Sequence, residues 1–130
     1  MSGFSETMGI AASGMQSQTE RLRLLSENIA NADTPGYRRK TASFEPYAAN
    51  TMPEGSVQLG RVQLDQTDLT TIFDPSHPMA GPEGSYDGSN VDLVVEIADA
   101  REAQRSYEAN LRVFDQVRQM SSALSDLLRR

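Results

Sequence analysis

The sequence contains no cysteine, no tryptophan and a single histidine among its 130 residues. Without thiols, disulfide bonds and thiolate chemistry are excluded. His77, the one histidine, has no cysteine or second histidine with which to form a usual zinc site, and no nucleophile is spaced to pair with it. Asp65, Asp68 and Asp74 lack the spacing of a calcium-binding loop. We therefore predict no catalytic residue, no metal site and no cofactor.

Long apolar stretches are missing as well. No run approaches the length of about 20 residues that a membrane helix needs. The first residues, Met-Ser-Gly-Phe-Ser-Glu, have neither the basic nor the apolar region of a cleavable secretory signal. Hydrophobic residues make up 38% of the chain, which is little for a self-sufficient core at this length. The composition predicts a soluble, cytosolic chain that completes its core against neighbours.

Basic residues are scarce in the middle of the chain. Residues 44–92 hold one base and eight acids, a balance of −7, whereas residues 1–43 hold five bases and four acids and residues 93–130 hold six of each. This distribution argues against nucleic acid as a partner. The one basic run, residues 38–40, is expected to be a solvated or ion-pairing loop and not a phosphate site.

The N-terminal stretch repeats its apolar positions at heptad spacing, which is typical of a helix that packs along one side. The repeat comprises Met8, Ala11, Met15, Gln18, Leu22, Leu25 and Ile29. Ser5 is predicted to cap the start of this helix. Pro35 disfavours helical geometry at Thr34 and is predicted to end it. We expect a helix within residues 1–34.

The C-terminal stretch shows a second heptad pattern. It comprises Leu93, Ile97, Ala100, Gln104, Tyr107, Leu111 and Phe114, followed by Val117, Met120, Leu124 and Leu127. Because Val117 comes one residue too early for the repeat, the pattern predicts a stammer there. Ser89 and Asp92 resemble a capping box at its start. Residues 90–130 contain no proline or glycine, and a helix of this length needs lateral partners.

The middle of the chain holds all six prolines and six of the nine glycines within residues 34–92. Val57 to Leu64 alternates like a strand with a bulge at Gly60, and Leu69 to Phe73 is a second candidate strand. We predict a small hairpin between these two segments. The predicted fold is mainly α: residues 1–34 and 90–130 form two long terminal helices that pair as a coiled coil in one axial core domain, and residues 35–89 form an irregular and β-hairpin insertion.

Both ends of the chain carry motifs of a known family. Residues 12–15 (Ala-Ser-Gly-Met), 21–22 (Arg-Leu) and 27–39 (ENIANADTPGYRR) closely resemble the N-terminal signature of flagellar rod, hook and hook-associated proteins. That signature runs Ser-Gly, a helix, Asn-x-x-Ala-Asn and a Thr-Pro-Gly-Tyr type of turn. Residues 91–93 (Val-Asp-Leu) and 103–110 (AQRSYEAN) are similar to the family's C-terminal helix.

The resemblance implies a structural subunit and not an enzyme. Because only a short middle separates the helices, the chain is most similar to proximal-rod subunits, and residues 74–80 (DPSHPMA) resemble one type of these. It differs from that type at residues 84–87, and Ser89 replaces a proline. Such a subunit polymerises helically into the hollow drive shaft that transmits motor torque to the hook. The alternatives are another short axial rod subunit or a type III secreted helical adaptor.

The resemblance also implies partners and a location. The partners are copies of the chain, other flagellar rod proteins, the membrane-ring/rod adaptor and the flagellar type III export apparatus, which needs no cleaved signal. The location is the flagellar basal body, in the rod that spans the periplasm. We predict that the subunit interface comprises Met8, Met15, Leu22, Leu25, Asn28, Ile29, Asn31, Pro35, Gly36, Tyr37, Ile97, Tyr107, Leu111, Phe114, Met120 and Leu124.

Overall fold

A computed structural model describes residues 2–47 and 50–129. Within these residues the chain forms two long helices and three pairs of short antiparallel strands. In chain order the elements are α1 (Ser2–Ala30), β1 (Lys40–Thr41), β2 (Phe44–Pro46), β3 (Val57–Leu59), β4 (Gln63–Leu64), β5 (Thr71–Phe73), β6 (Ser85–Asp87) and α2 (Leu93–Leu128). The predicted mainly α fold with a small β insertion is confirmed. Neither helix, over the part described, is long and apolar enough to cross a membrane.

The two helices lie antiparallel against each other. At one end Asn28 of α1 donates to Glu96 of α2 over 3.4 Å. Further along, the guanidinium of Arg21 lies 3.7 Å from the carboxylate of Glu102. In the middle of α1, a Cβ atom added to Gly14 would lie 2.8 Å from the side-chain amide of Asn110. The late part of α1 therefore meets the early part of α2, and the helices stay in contact along most of α1.

The helix starts differ from the predicted caps. α1 begins at Ser2, so Ser5 lies inside the helix and does not cap it. α2 begins at Leu93, because Asp92 is its N-cap and accepts from the backbone N–H of Val94 at 3.0 Å. Ser89 instead donates to the carbonyl of Ala32. The capping-box prediction at Ser89 is therefore wrong: this serine joins the loop before α2 to the turn after α1.

The side of α2 that faces α1 coincides only in part with the predicted stripe. Buried or partly buried positions follow one line from Glu96 through Ala100, Ala103, Tyr107, Asn110, Phe114 and Val117 to Ser121, and Asp99, Ser106, Asp115 and Ser125 beside this line are partly buried too. Ala100, Tyr107, Phe114 and Val117 belong to the predicted stripe. The line alternates by four and three and contains no stammer at Val117. The sequence pattern assigned Leu111 to this side, but Asn110 occupies it. Because α-helical geometry places neighbouring residues about 100° apart, Leu111 is turned toward solvent.

The apolar core of the chain is small. Only Ala11, Leu24, Leu25 and Ala103 are buried apolar residues in the part that the structure describes. The buried polar residues there are Ser13, Ser17, Asn28, Ser56, Ser89 and Glu96. A core with so little buried apolar surface contributes weakly to stability, since burial stabilises by about 25 cal/mol per Å². Polar contacts therefore have an unusually large part in holding the chain together.

The insertion contains two hairpin-like units instead of the single predicted hairpin. In place of the predicted single strand with a bulge at Gly60, β3 and β4 are separate strands on either side of this glycine. However, β3 pairs with β2 and β4 pairs with β1, while β5 pairs with β6. The predicted pairing of Val57–Leu64 with Leu69–Phe73 is wrong. The carboxylate of Asp65 binds the backbone N–H of Thr67, and the carbonyls of both residues bind other parts of the chain, so this segment does not close a hairpin.

Gly14 sets how closely the helices approach, and its replacement tests this packing. In an open helix position alanine stabilises by about 1 kcal/mol relative to glycine. At residue 14 the added methyl group would press on the amide of Asn110, and overpacking of this kind costs about 1–3 kcal/mol. We expect Gly14→Ala to lower the free energy of unfolding in urea, and to raise it in an Asn110→Ala background.

Gly3→Ala is the matched control, since nothing lies within 4 Å of a Cβ atom at Gly3. It should not destabilise the chain. An equal loss from Gly14→Ala with and without the amide of Asn110 would contradict the close contact.

Candidate functional site

The turn that follows α1 is held by the side chain of Asn28. This residue is fully buried, with 0% of its surface exposed. Its Oδ1 accepts from the backbone N–H of Lys40 at 2.8 Å, and its Nδ2 donates to the carbonyl of Lys40 at 2.9 Å. The side-chain amide of Asn28 thus forms both hydrogen bonds with the backbone of Lys40 that a residue on a neighbouring β-strand would form. The hydroxyl of Tyr37 also donates to Oδ1 at 2.8 Å, so one side chain fixes both the turn and the returning strand.

A fully buried carboxylate, Glu96, lies beside Asn28 in the first turn of α2. Its Oε1 accepts from Nε of Arg39 at 2.5 Å. Arg39 also approaches the carboxylate of Asp65 at 3.3 Å and that of Asp99 at 4.0 Å. Burial lowers the pKa of Arg39, but the hydrogen bonds and charges of Glu96 and Asp65 raise it overall. The guanidinium therefore stays charged and compensates the buried carboxylate.

The segment that contains Arg38 and Arg39 also holds the loop before α2 in place. Asn90 accepts from the backbone N–H of Arg39 at 2.7 Å, and its Nδ2 donates to the carbonyl of Asp65 at 3.0 Å. Arg38 donates to that carbonyl at 3.1 Å and to the carbonyl of Thr67 at 2.9 Å. The basic run is thus an ion-pairing and backbone-binding loop, one of its two predicted roles. We call Asn28, Tyr37, Arg39, Asp65, Asn90 and Glu96 the polar junction.

Burial and the negative charge of Glu27 raise the pKa of Tyr37. Its hydroxyl therefore keeps the proton that it donates to Asn28. Lys40 binds Glu27 with an Nζ–Oε1 distance of 2.5 Å, and this hydrogen bond raises the pKa of the lysine. The ion pair between Lys40 and Glu27 therefore joins the end of α1 to the start of β1 and restrains the turn between them.

Two serines of α1 dock the first hairpin-like unit onto the helix. The backbone N–H of Val57 donates to Oγ of Ser13 at 3.1 Å. The hydroxyl of Ser17 lies 2.9 Å from the carbonyl of Ser13 and 3.2 Å from that of Val57, so its one proton is shared between these two acceptors. Both backbone groups of this β3 residue are therefore satisfied by one face of α1. Ser13 belongs to the N-terminal signature motif, but no sequence pattern indicated this role.

The outward-facing part of α2 carries ten exposed large apolar side chains. These are Leu93, Val94, Val95, Ile97, Leu111, Val113, Met120, Leu124, Leu127 and Leu128. Helical geometry separates most of them into two strips on either side of the residues that face α1. The first flank comprises Leu93, Ile97 and Leu111. The second flank comprises Val95, Val113, Met120, Leu124 and Leu127. The predicted stammer marks where the apolar residues move from the first flank to the second.

The predicted interface residues divide into three groups by burial. Leu25 and Asn28 are buried within the chain. The partly buried ones are Met8, Met15, Leu22, Ile29, Asn31, Pro35, Tyr37, Tyr107 and Phe114. The exposed ones are Gly36, Ile97, Leu111, Met120 and Leu124. The amides of Asn28 and Asn31 are both used inside the chain, since Asn31 donates to the carbonyl of Glu27 at 2.9 Å. The exposed group is free to contact another molecule.

The sequence interpretation missed most of the polar junction. Arg39 was noted only as part of a basic run expected to be solvated or ion-paired, without a partner, and no role was predicted for the side chains of Asn90 and Glu96, because a search for apolar periodicity passes over polar residues. One signal was present: Glu96, Ala103 and Asn110 recur every seven residues, which is the spacing of one face of a packed helix. A heptad line that includes polar residues indicates a polar contact between helices.

His77, for which we predicted no catalytic role, packs within the loop between β5 and β6. Its ring stacks on that of Tyr86, with the ring centres 3.9 Å apart and the planes at 14°. Its Nδ1 accepts from the backbone N–H of Met79 at 3.1 Å. Across residues 2–47 and 50–129, no group of three or more acidic or histidine side chains is placed to hold a metal ion.

Comparisons with known proteins agree at both ends of the chain. A family described as flagella basal body rod protein matches residues 8–38, and one described as flagellar basal body rod FlgEFG protein C-terminal matches residues 83–127. The flagellar basal-body rod protein FlgC of Agrobacterium fabrum is 40% identical over 99% of this chain and 98% of its own length. FlgC of Salmonella typhimurium is 33% identical over 85% and 87%, and FlgC of Bacillus subtilis 31% over 81% and 85%.

Removing the partner of the buried carboxylate should destabilise the chain strongly. Arg39→Ala leaves Glu96 charged and buried, which typically costs about 3–5 kcal/mol. Replacing both residues with methionine removes both charges and should cost much less. The measurement is urea unfolding of the purified chain followed by circular dichroism.

Arg118→Ala serves as the control, because Arg118 pairs with Asp115 at 3.6 Å on an exposed part of α2. Such surface pairs contribute about 0–1 kcal/mol. If Arg39→Ala were as mild as Arg118→Ala, the polar junction would not be the main polar support of the fold.

The polar junction should also weaken in acid through Asp65. Hydrogen bonds from Thr67, and then the contact with Arg39, lower the pKa of Asp65 below 3.8. A lowered pKa in the folded state contributes stability that is present above the unfolded value and is lost as the pH falls through the folded value. We expect the urea midpoint to fall below about pH 3.8, with a smaller drop in Asp65→Asn than in the unmodified chain. Asp68→Asn, at an exposed position in the same loop, should keep the full drop; an identical pH profile for both variants would contradict this role.

Proposed function

The chain belongs to the FlgC family of flagellar basal-body rod proteins, and we propose on this basis how it builds the rod. As a member, it is a structural rod subunit of the flagellar basal body. We propose that its copies polymerise helically into the proximal part of a hollow drive shaft that passes motor torque to the hook. This role is mechanical and not enzymatic. The relatives' names support the rod assignment over a type III secreted adaptor.

The observation that carries the proposal is the pair of apolar flanks on α2. A helix packed on α1 along one side needs only one apolar stripe, but α2 has exposed apolar residues on both neighbouring sides. Large exposed apolar patches mark sites of protein association. Each flank is available to a different neighbour. Contacts between different surfaces of identical subunits extend into an open helical filament when the rotation does not close.

The spacing within the flanks favours coiled-coil packing between subunits. Ile97 and Leu111 are two heptads apart, and Val113, Met120 and Leu127 follow one another at seven-residue steps. Heptad spacing keeps a strip of side chains in register with a neighbouring helix over many turns. We infer that these two flanks, the second of which includes Leu124, form the subunit interface together with the exposed Gly36. Those partly buried residues of the predicted interface that lie on α1 and in the turn after α1 extend the interface along that helix and around that turn.

The division of the chain follows from this arrangement. Residues 1–34 and 90–130 would form the axial core domain, with residues 35–89 as an insertion fixed to it. The insertion is attached through Ser13, Ser17 and the polar junction, so it would move with the helices as one body. A shaft under torsion requires such attachment, because a loosely tethered insertion cannot resist a lateral load.

The thin core suits the proposed route to the rod. The four buried apolar residues of the described part of the chain oppose unfolding only weakly, and the sequence has no cysteine for a disulfide. A chain passed through the flagellar type III apparatus must be unfolded. The partners we propose are other copies, other rod proteins, the membrane-ring/rod adaptor and this export apparatus. Burial of the flanks after export would supply the stability that the single chain lacks, at the periplasmic position of the rod.

A charge placed on either flank should prevent rod assembly without unfolding the chain. Leu111→Asp changes the first flank and Met120→Asp the second, and both positions are exposed in the single chain. Burying an unpaired carboxylate between subunits would cost several kcal/mol at each contact. We expect unchanged helicity and continued export, but basal bodies without a complete rod and cells that do not swim.

Gln119→Asp introduces the same charge at an exposed position between the flanks and should leave swimming intact. Cells that swim with both Leu111→Asp and Met120→Asp would show that the flanks are not subunit contacts.

A further inference from the structure

The end of β5 and the loop between β5 and β6 present two strongly exposed apolar side chains. Phe73 is 72% exposed and Met79 is 63% exposed. The loop around them is well braced: Ser76 donates to the carboxylate of Asp74 at 2.7 Å, and the stacked rings of His77 and Tyr86 hold its centre. A braced loop loses little conformational freedom when it binds. We call residues 71–87 the hairpin tip.

The hairpin tip is acidic as well as apolar. Residues 71–87 contain Asp74, Glu83 and Asp87 and no lysine or arginine. The hydrogen bond from the Ser76 hydroxyl lowers the pKa of Asp74, which keeps that carboxylate charged at neutral pH. A surface that fits the hairpin tip therefore combines an apolar groove with unpaired cations.

The early part of α2 has such a surface on its outer side. Val94, Ile97 and Ala98 line a shallow, open groove of about 440 Å³ on this face of α2, together with Arg101, Glu102 and Arg105. Val94 is 77% exposed. Within the described ranges, no carboxylate oxygen lies within 4.0 Å of either arginine's nitrogen atoms, whereas Glu102 is engaged by Arg21. The spacing of Glu102 and Arg105 suits a pair along the helix, but this pair does not form, so Arg105 keeps an uncompensated charge.

We propose that the hairpin tip of one copy binds in the α2 groove of the next copy of this chain. Both surfaces stay exposed in a single chain, so the contact joins two molecules. Phe73 and Met79 would cover the apolar residues of the groove, with Glu83 facing Arg105. Charge complementarity of this kind selects the partner and sets its register. The proposal rests on the proposed function, since it specifies one of the lateral contacts of the rod.

Because the chain has no cysteine, disulfide cross-linking gives a clear test. Two full-length copies with different epitope tags are produced together in the bacterium in place of its own copy, one with Met79→Cys and one with Ala98→Cys. Isolated basal bodies are oxidised and examined for a dimer that carries both tags. We expect this dimer. Ala123→Cys replaces Ala98→Cys in the control, since Ala123 is an exposed alanine far along the same helix, and should yield no dimer.

A second measurement tests the charges. Arg105→Glu on the Ala98→Cys copy should abolish the dimer, and Glu83→Arg on the Met79→Cys copy should restore it. In a third, a photoreactive benzophenone attached to Met79→Cys should join this chain to itself; its attachment to another rod protein would overturn the choice of partner.

The outcomes separate the two levels of the proposal. Basal bodies that contain the chain but give no mixed dimer, or give equal dimer with Ala123→Cys, would overturn the tip-and-groove contact alone. Basal bodies that lack the chain would overturn the proposed function together with this contact.

Discussion

The ion pair between Arg39 and Glu96 joins three parts of the chain that are distant in sequence. Glu96 lies in the first turn of α2, Arg39 lies immediately before β1, and Asn28 of α1 bonds to both Glu96 and Lys40. A buried carboxylate tolerates few arrangements, because leaving it unpaired costs several kcal/mol. The relative positions of the helices, the turn and the loop before α2 therefore depend on satisfying this one group.

This dependence fits a subunit whose own core is small. Buried ion pairs contribute little net stability compared with apolar packing, but they penalise wrong arrangements strongly. In this chain the polar junction and the Ser13 and Ser17 contacts define the geometry, while much of the apolar surface of α2 remains outside. Shape is thus specified within one chain, and under the proposed function apolar burial is left for assembly with neighbours. Stability that arises only on assembly would suit a subunit that is exported unfolded, as proposed above.

The helices could be predicted from local pattern because their signals are local. Heptad spacing and the absence of proline and glycine after residue 90 indicated α2, and Gly60 indicated a bulge in a strand. The pairing of strands was not predictable in this way, since β1 and β2 are short, include Lys40 and Pro46, and lack alternation. Their position follows from contacts with α1 and from Asn28, which pairs with the backbone of Lys40. Such long-range contacts leave no periodic trace in the sequence.

By itself, the sequence determined the family, the mainly α fold, two long terminal helices and an acidic middle between them. Spacing, turn residues and terminal motifs are properties of residues that are near each other in the sequence, and they can be recognised without knowledge of the tertiary contacts. Only the tertiary structure decided which side of α2 faces α1. Asn110, opposite Gly14, takes the place that apolar periodicity assigned to Leu111, because a close helix approach and a polar junction at Glu96 together set the rotation of α2. That rotation leaves Leu111 and Met120 outside, on the surfaces where neighbouring subunits would bind.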